Sequence, residues 1–333
     1  MRFLVTGAAG FIGSNLSARL ANSGFEVIGA DNYTEYYSPG LKKLRVKELL
    51  NPLGVTVELI DLTEIQSVLS LVEAFQPDTI IHLAAQPGVR TPIEKSDLYI
   101  QSNLVAYCNV LQAAVEFGVP NFLYASSSSV YGNSREHPYR EENKSIVPIS
   151  IYGATKLANE ILAPVYVSGS NTRSRGMRFF TVYGPWGRPD MAYLRVINSA
   201  LNGSEFKKFG NGEVKRDFTF VDDITRMIES LAFQLKTCQA GFADVVNIGG
   251  GNPHSLNDLV REVSNQMNSK ITVSETSINP LDTDYTFADV TRLIELTGQK
   301  PEIRLETGVS ETIAWAKRPD IRSSLSSWVE STI

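Results

Sequence analysis

Tyr152-Gly153-Ala154-Thr155-Lys156 sets a phenol and an ammonium four residues apart. Residues i and i+4 of a helix share one face, so a helix here would hold the two side chains together. A tyrosine hydroxyl ordinarily titrates near pH ~10. It works as a base at neutral pH only where positive charge stabilises its anion, and Lys156 is placed to supply some. A depression of about two or three pKa units, each worth ~1.4 kcal/mol, would bring the phenol into range for proton transfer. Upstream, Ser126-Ser127-Ser128-Ser129 closes an apolar run that reads as a strand. Hydroxyls at the carboxyl end of a parallel strand sit where open sheets place their ligands. One of them can bridge a substrate alcohol and Tyr152. Either signal alone is commonplace: Y-x-x-x-K is usually an exposed helix pair, and a serine run is usually a turn.

A third motif gives the pair its meaning. Gly7-Ala8-Ala9-Gly10-Phe11-Ile12-Gly13 follows an apolar run and opens a helix-like stretch. Small residues let the backbone N–H groups approach a pyrophosphate at a helix N-terminus, where the dipole favours negative charge. The first strand-to-helix turn of dinucleotide-binding sheets has this form. A tight glycine turn without a ligand is the plainer alternative, and Asp31 argues against it. Asp31 ends the second apolar run, 18 residues after Gly13. Its carboxylate can accept both hydroxyls of an adenosine ribose and would repel a 2′-phosphate. NAD is therefore expected rather than NADP, with Asn32 beside Asp31. Asp61-Leu62 ends the third run, where an adenine edge could be bound; the alternative for Asp61 is an N-cap of the next segment. Leu83, Ala84 and Ala85, after the fourth run, complete the expected cofactor set. The cationic nicotinamide ring would add its charge to that of Lys156 beside the Tyr152 phenol.

These motifs need an open sheet to position them. Apolar runs at 3–6, 25–30, 55–60, 79–83 and 122–126 alternate with helix-like stretches near 12–23, 41–50, 64–75 and 98–117. Such alternation, with continuously apolar strands, argues for a parallel sheet covered on both faces. A helix is expected over 151–168 and a strand over 176–181, then helices near 191–202, 222–235, 255–267 and 305–317. The expected fold is α/β: a doubly wound, Rossmann-like parallel sheet with a smaller mixed α/β C-terminal lobe. Residues 1–182 would bind the cofactor, with the chain crossing back around 214–250, and 183–333 would mainly form the substrate lobe. Pro164 should kink the 151–168 helix. The 333 residues suffice for a sizeable core.

A net charge of -5 offers no general attraction to nucleic acid or anionic lipid. No run of ~18 apolar residues suggests a membrane span, and no signal-peptide core follows Met1, so a cytoplasmic location is expected. Cys108 and Cys238 lack metal-like spacing and read as small core residues; no metal is expected. His82 ends a buried run and reads as structural.

Taken with His82-Leu83-Ala84-Ala85-Gln86-Pro87-Gly88-Val89-Arg90, the 178–191 segment and Lys215-Arg216-Asp217-Phe218-Thr219, these motifs resemble the extended short-chain dehydrogenase/reductases that act on nucleotide sugars. Within them the chain is most similar to UDP-glucuronate 4-epimerases, over nearly its whole length. The resemblance implies that Ser127 is the catalytic serine and that Tyr152 takes the C4 hydroxyl proton while hydride passes to NAD. The 4-keto sugar then turns over and hydride returns to its other face. It also implies a homodimer through the 98–117 and 151–168 helices.

In related dehydratases an Asp-Glu pair takes the place of Ser128-Ser129, and decarboxylases carry a glutamate just before the Val-Tyr-Gly. Here both positions are serine, which leaves epimerisation. A uronic acid oxidised at C4 is a β-keto acid, so its carboxylate must be held away from alignment with the carbonyl. Ser128, Ser129, Thr181 and Arg188 are the candidates, since hydroxyls and an arginine suit a carboxylate. The alternative for Arg188 is a diphosphate contact or a solvated loop charge. Arg90 and Arg216 are the expected diphosphate clamps. Gly88 and Met191 join the substrate set, and Thr286 falls where 4-epimerases gate a ring substituent. The stretch 278–284 departs from the Gln-Pro-Gly-Asp usual in uronate epimerases. The rival readings are a neutral or N-acetylated UDP-hexose 4-epimerase, a nucleotide-sugar dehydratase or decarboxylase, and a non-catalytic NAD sensor.

Overall fold

The computed structural model describes residues 1–89, 93–143, 145–277 and 285–330. Its strands, in chain order, are β1 (Arg2–Thr6), β2 (Glu26–Asp31), β3 (Thr56–Leu59), β4 (Thr79–His82), β5 (Asn121–Ser127), β6 (Arg173–Phe179), β7 (Thr181–Tyr183), β8 (Phe206–Phe209), β9 (Lys215–Phe220), β10 (Ala243–Ile248), β11 (Pro253–Ser255) and β12 (Val273–Thr276). Seven of them form one sheet in the order β10-β6-β5-β4-β1-β2-β3. Every pairing in it is parallel. Strands covered on both faces must be apolar throughout. Accordingly β4 is buried at every residue, and β1 and β6 at all but their first. The fold is the doubly wound parallel sheet expected from the alternating pattern, and the smaller mixed sheets lie later in the chain.

Strand order reverses between β1 and β4. A crevice therefore opens beyond their carboxyl ends, where open sheets bind ligands. Gly7 follows β1 and Leu83 follows β4, so both expected cofactor loops rise at this crevice.

The strand expected over 176–181 is two strands. β6 ends at Phe179 in the main sheet, and β7 begins at Thr181 in a second sheet ordered β11-β9-β7. Phe180 makes the switch, its N–H donating to Ile248 O at 3.1 Å. The second sheet carries the 184–191 loop toward the crevice. β8 and β12 pair separately, and helices Leu305–Ala316 and Pro319–Glu330 close an apolar cluster around Trp186, Tyr193 and Trp315.

The helix Ile151–Val167 begins at Ser150, whose hydroxyl accepts Gly153 N–H at 3.1 Å. It continues past Pro164 and ends three residues later, so the lost N–H falls in its last turn. Cys108 and Cys238 are half-buried free thiols at the edges of separate clusters rather than core residues. No helix among the described residues is long and apolar enough to cross a membrane.

Candidate active site

The glycine turn is built on contacts that exclude side chains. Gly7 has φ +69°, and a Cβ there would lie 2.8 Å from Ala84 N. A Cβ on Gly13 would lie 2.1 Å from Gly7 O. Gly10 N–H donates to Gly7 O at 2.9 Å, and Ala9 N–H to Asp31 Oδ2 at 3.1 Å. Asp31 thus shapes the turn as well as facing the crevice, and Tyr33 N–H holds its other oxygen at 2.8 Å. Small backbone-only surfaces with a carboxylate at the ribose end fit a dinucleotide. Gly7, Gly10, Phe11, Ile12, Gly13, Asp31, Asn32, Asp61, Leu62, Leu83, Ala84 and Ala85 all line one cleft. Asp61 caps a turn, accepting Thr63 N–H at 2.9 Å, while the next helix takes Glu64 as its N-cap.

Ser127, Tyr152 and Lys156 line the same cleft. Ser127 ends β5; its Oγ accepts Ser129 N–H at 3.1 Å and its hydroxyl donates to Ser129 Oγ at 3.1 Å. Burial raises the Tyr152 phenol pKa; the nearby Ser127 hydroxyl and the Arg188 charge pull it down. Lys156 Nζ stands 5.8 Å from the Tyr152 ring centroid and is buried. Burial pushes its own pKa down to about 7, so near neutrality it is only partly charged. The neighbouring cation that lowers the phenol here is Arg188, and the cationic ring of a bound NAD would act in the same direction. His82 is driven down to about 3 by burial and then by Lys156, and its Nδ1 lies 2.9 Å from Thr6 Oγ1. It is a neutral structural group.

The low Lys156 pKa predicts a pH-dependent stability. The folded cofactor-free protein releases this proton near pH 7, whereas the unfolded chain holds it toward the ordinary 10.5. Between those values the unfolded state binds more protons, so stability rises with pH. Urea titrations across this window should show that rise, and Lys156→Met should flatten it. An unchanged slope in the variant counts against the assignment.

A buried polar chain locks the catalytic helix to the sheet. Glu160 lies one turn beyond Lys156. It accepts Arg178 Nε at 2.9 Å and Nη2 at 2.7 Å, and the Ser126 hydroxyl donates to it. Arg178 also donates to Tyr131 Oη at 2.8 Å, which donates to Asn247 Oδ1 at 2.7 Å. Asn103 fixes the other side: its Nδ2 donates to Gln86 O at 3.2 Å and to Thr155 Oγ1 at 3.1 Å. It sits in a π-turn, Ile100–Val105, a deformation frequent at functional sites. Neither Asn103 nor Glu160 was singled out from sequence.

Of the expected substrate residues, Ser127, Tyr152, Arg188 and Met191 line the cleft. Arg188 donates through Nε to Asp190 Oδ1 at 3.0 Å and through Nη2 to Asp190 Oδ2 at 2.5 Å. Its guanidinium also lies 5.6 Å from the Tyr36 ring centroid, and Tyr36 Oη donates to Asp190 at 3.4 Å. Gly88, Ser128, Ser129, Thr181, Arg216 and Thr286 fall outside the cleft lining. Gly88 sits at its edge, its carbonyl accepting the Tyr99 hydroxyl at 2.7 Å. The Thr286 hydroxyl is buried without a hydrogen-bond partner among the described residues. Arg216 Nη1 donates to Lys215 O at 3.0 Å, and its charge acts on Tyr139. Arg90 and the 278–284 stretch lie outside the described residues. Thr34, Tyr36, Tyr37 and Lys42 line the cleft unannounced; the aromatic run directly after Asp31 was the available signal.

Comparison with known proteins agrees with this geometry. Residues 3–249 match the model of the NAD dependent epimerase/dehydratase family. Protein CapI of Staphylococcus aureus is 36% identical over 328 residues, which cover 95% of this chain and 98% of that one. A probable UDP-glucuronate 4-epimerase of Rhizobium meliloti (strain 1021) is 36% identical over 333 residues, covering 95% and 96%. The crystal structure of UDP-glucuronic acid 4-epimerase from Bacillus cereus, in complex with UDP-glucuronic acid and NAD, superposes with a TM-score of 0.87 at 32% identity. That superposition covers 95% of this chain and 99% of that one. On the dinucleotide turn, the Ser127–Tyr152–Lys156 arrangement and this match over most of its length, the chain belongs to the NAD dependent epimerase/dehydratase family.

Proposed function

We propose that the protein interconverts UDP-glucuronate and UDP-galacturonate by epimerisation at C4. The observation that carries this reading is the Tyr152 phenol, which shares one cleft with Ser127, Arg188 and the dinucleotide turn and whose pKa Ser127 and Arg188 both pull down. NAD held by the glycine turn and Asp31 would supply the hydride acceptor, and then the hydride donor, for C4. Tyr152 takes the C4 hydroxyl proton, directly or through Ser127, and gives it back. Lys156 and Asn103 hold the helix geometry around it. Ser128 and Ser129 bring no carboxylate or imidazole to the site, so elimination has no dedicated proton carrier there. Ser128, Ser129, Thr181 and Arg188 are the proposed carboxylate-holding groups, Arg90 and Arg216 the diphosphate clamps, and Thr286 the gate on the ring substituent. Gly88 and Met191 would border the sugar. In this reading residues 1–182, with the return around 214–250, serve the cofactor and 183–333 mainly the nucleotide sugar.

Incubation of the purified protein with UDP-glucuronate, without added NAD, should yield UDP-galacturonate by nuclear magnetic resonance. Turnover of UDP-glucose alone would sink the uronate reading. One observation favours that neutral-sugar alternative: Asp190 already occupies two donors of Arg188. Both Nη1 hydrogens and the second Nη2 hydrogen of Arg188 are the donors left for a carboxylate.

A homodimer is part of the proposal, as is work in the cytosol, which two unpaired thiols suit. Leu98 (44% exposed) and Ile100 (41%) lie on the helical segment packed beside the Ile151–Val167 helix, which itself exposes Ile161 (62%) and Val165 (70%) farther along. Exposed apolar side chains on adjacent helices mark an interaction face. Val165→Glu should turn a dimer into a monomer in sedimentation velocity; an unshifted species would place the contact elsewhere.

A further inference from the structure

Arg45 takes no part in the chemistry above, yet it is among the largest side chains fully withdrawn from solvent. It ends the helix Pro39–Arg45 and meets no carboxylate among the described residues. Its Nε donates to Trp186 O at 2.8 Å and its Nη2 to Gly187 O at 2.9 Å. Its Nη1 donates to Ala9 O at 3.1 Å and to Tyr37 Oη at 2.6 Å. Arginine does not deprotonate in proteins, and a buried cation without an anion is unfavourable. Filling space does not call for such a group.

The carbonyls it reaches belong to two functional segments. Ala9 lies in the dinucleotide turn, and its N–H is held from the other side by Asp31. Trp186 and Gly187 immediately precede Arg188. Trp186 has φ +64°, a left-handed backbone that a bulky residue adopts only where its surroundings impose it. The Arg45 bond to its carbonyl and its ring contact with Trp315, at 5.5 Å, impose it here. Gly187 allows no slack, since a Cβ there would collide with the Tyr193 hydroxyl. The chain direction into Arg188 is thereby fixed.

We propose that Arg45 is a positioning residue tying the cofactor turn to the loop that bears Arg188. One guanidinium fork sets both the turn and the cation facing the sugar. The inference rests on the uronate reading above. A 4-keto uronate loses CO2 when its C5–C6 bond aligns with the C4 carbonyl: that bond breaks, its electron pair enters an enolate, and C5 then takes a proton to give a 4-keto pentose. A loosened Arg188 lets this alignment occur.

The test incubates Arg45→Lys and Tyr37→Phe with UDP-glucuronate and measures released CO2 against epimer formed. NAD content of the purified proteins is measured by absorbance after denaturation. Lysine cannot reproduce the fork, so the CO2-to-epimer ratio should rise about tenfold in Arg45→Lys, with lowered NAD content. Tyr37→Phe, which keeps the three carbonyl bonds, should shift the ratio the same way by less. A purely structural arginine would reduce total turnover and leave the ratio alone, and that result overturns the proposal. If Arg45→Lys does not fold, the ratio in Tyr37→Phe decides. If the unsubstituted enzyme does not epimerise UDP-glucuronate, the uronate reading fails instead, and unchanged NAD content in both variants would then refute the link to the turn.

Discussion

Tyr152→Phe should lower kcat by on the order of 10³-fold, the middle of the range for losing a positioned proton carrier, while the purified variant keeps its NAD. The substitution removes one oxygen from a half-buried ring that lines the cleft. The ring keeps its packing beside Tyr99, at 6.3 Å between centroids, so the fold and the dinucleotide turn have no reason to change. Of its neighbours, His82 is neutral and held by Thr6, and Ser127 is a neutral alcohol. Burial holds the phenol above its ordinary pKa in the cofactor-free protein, and a cationic ring bound beside it would favour the phenolate. The check is conversion of UDP-glucuronate together with cofactor content after denaturation. Turnover within tenfold of the unsubstituted enzyme would remove Tyr152 from its role.

The parts of this site that were legible in the sequence are those whose chemistry restricts residue type over a few positions. Gly7, Gly10 and Gly13 must be small because backbone meets backbone, and Tyr152 and Lys156 must be four apart because a helix has one face there. Arg45 left no such trace. Among Lys42, Lys43 and Lys47 it reads as one more solvated base, and its burial is decided by carbonyls 141 and 142 residues away. Asn103 is hidden in the same way, since its partners arrive from the β4 loop and from Thr155. The sheet switch at Phe180 was masked because Phe179, Phe180, Val182 and Tyr183 continue the strand-like composition of β6, with a change of partner but none of pattern. The helix Pro319–Glu330 was missed for a different reason. Four serines lower its propensity, although Ile321, Leu325, Trp328 and Val329 keep helical spacing and are buried. The substrate groups Ser128, Ser129, Thr181 and Thr286 came from family resemblance, and the cleft lining contains none of them. Spacing alone carried no information about the sugar.

Gly13→Ala is the second large effect expected, and it acts on the cofactor instead of the chemistry. The added methyl would meet Gly7 O at 2.1 Å, Gly7 C at 2.8 Å and Ala8 Cα at 3.1 Å. All three are backbone atoms, so no side chain can rotate away. Gly7 O is also the acceptor for Gly10 N–H, and moving it opens the turn that presents N–H groups to the diphosphate. Overpacking of this kind costs about 1–3 kcal/mol, which corresponds to roughly 5- to 150-fold in affinity. The variant should therefore be purified largely without NAD, with a lower melting temperature, and should regain part of its activity when NAD is added in excess. Gly40→Ala is the matched control. It sits in the first turn of a helix with its nearest neighbour, the Ser38 hydroxyl, at 3.3 Å, and alanine favours helix over glycine. Cofactor lost equally from both proteins would mean that the glycine turn is not the dinucleotide cradle. Loss from Gly13→Ala alone ties binding to one backbone contact between residues 7 and 13, before any sugar enters the cleft.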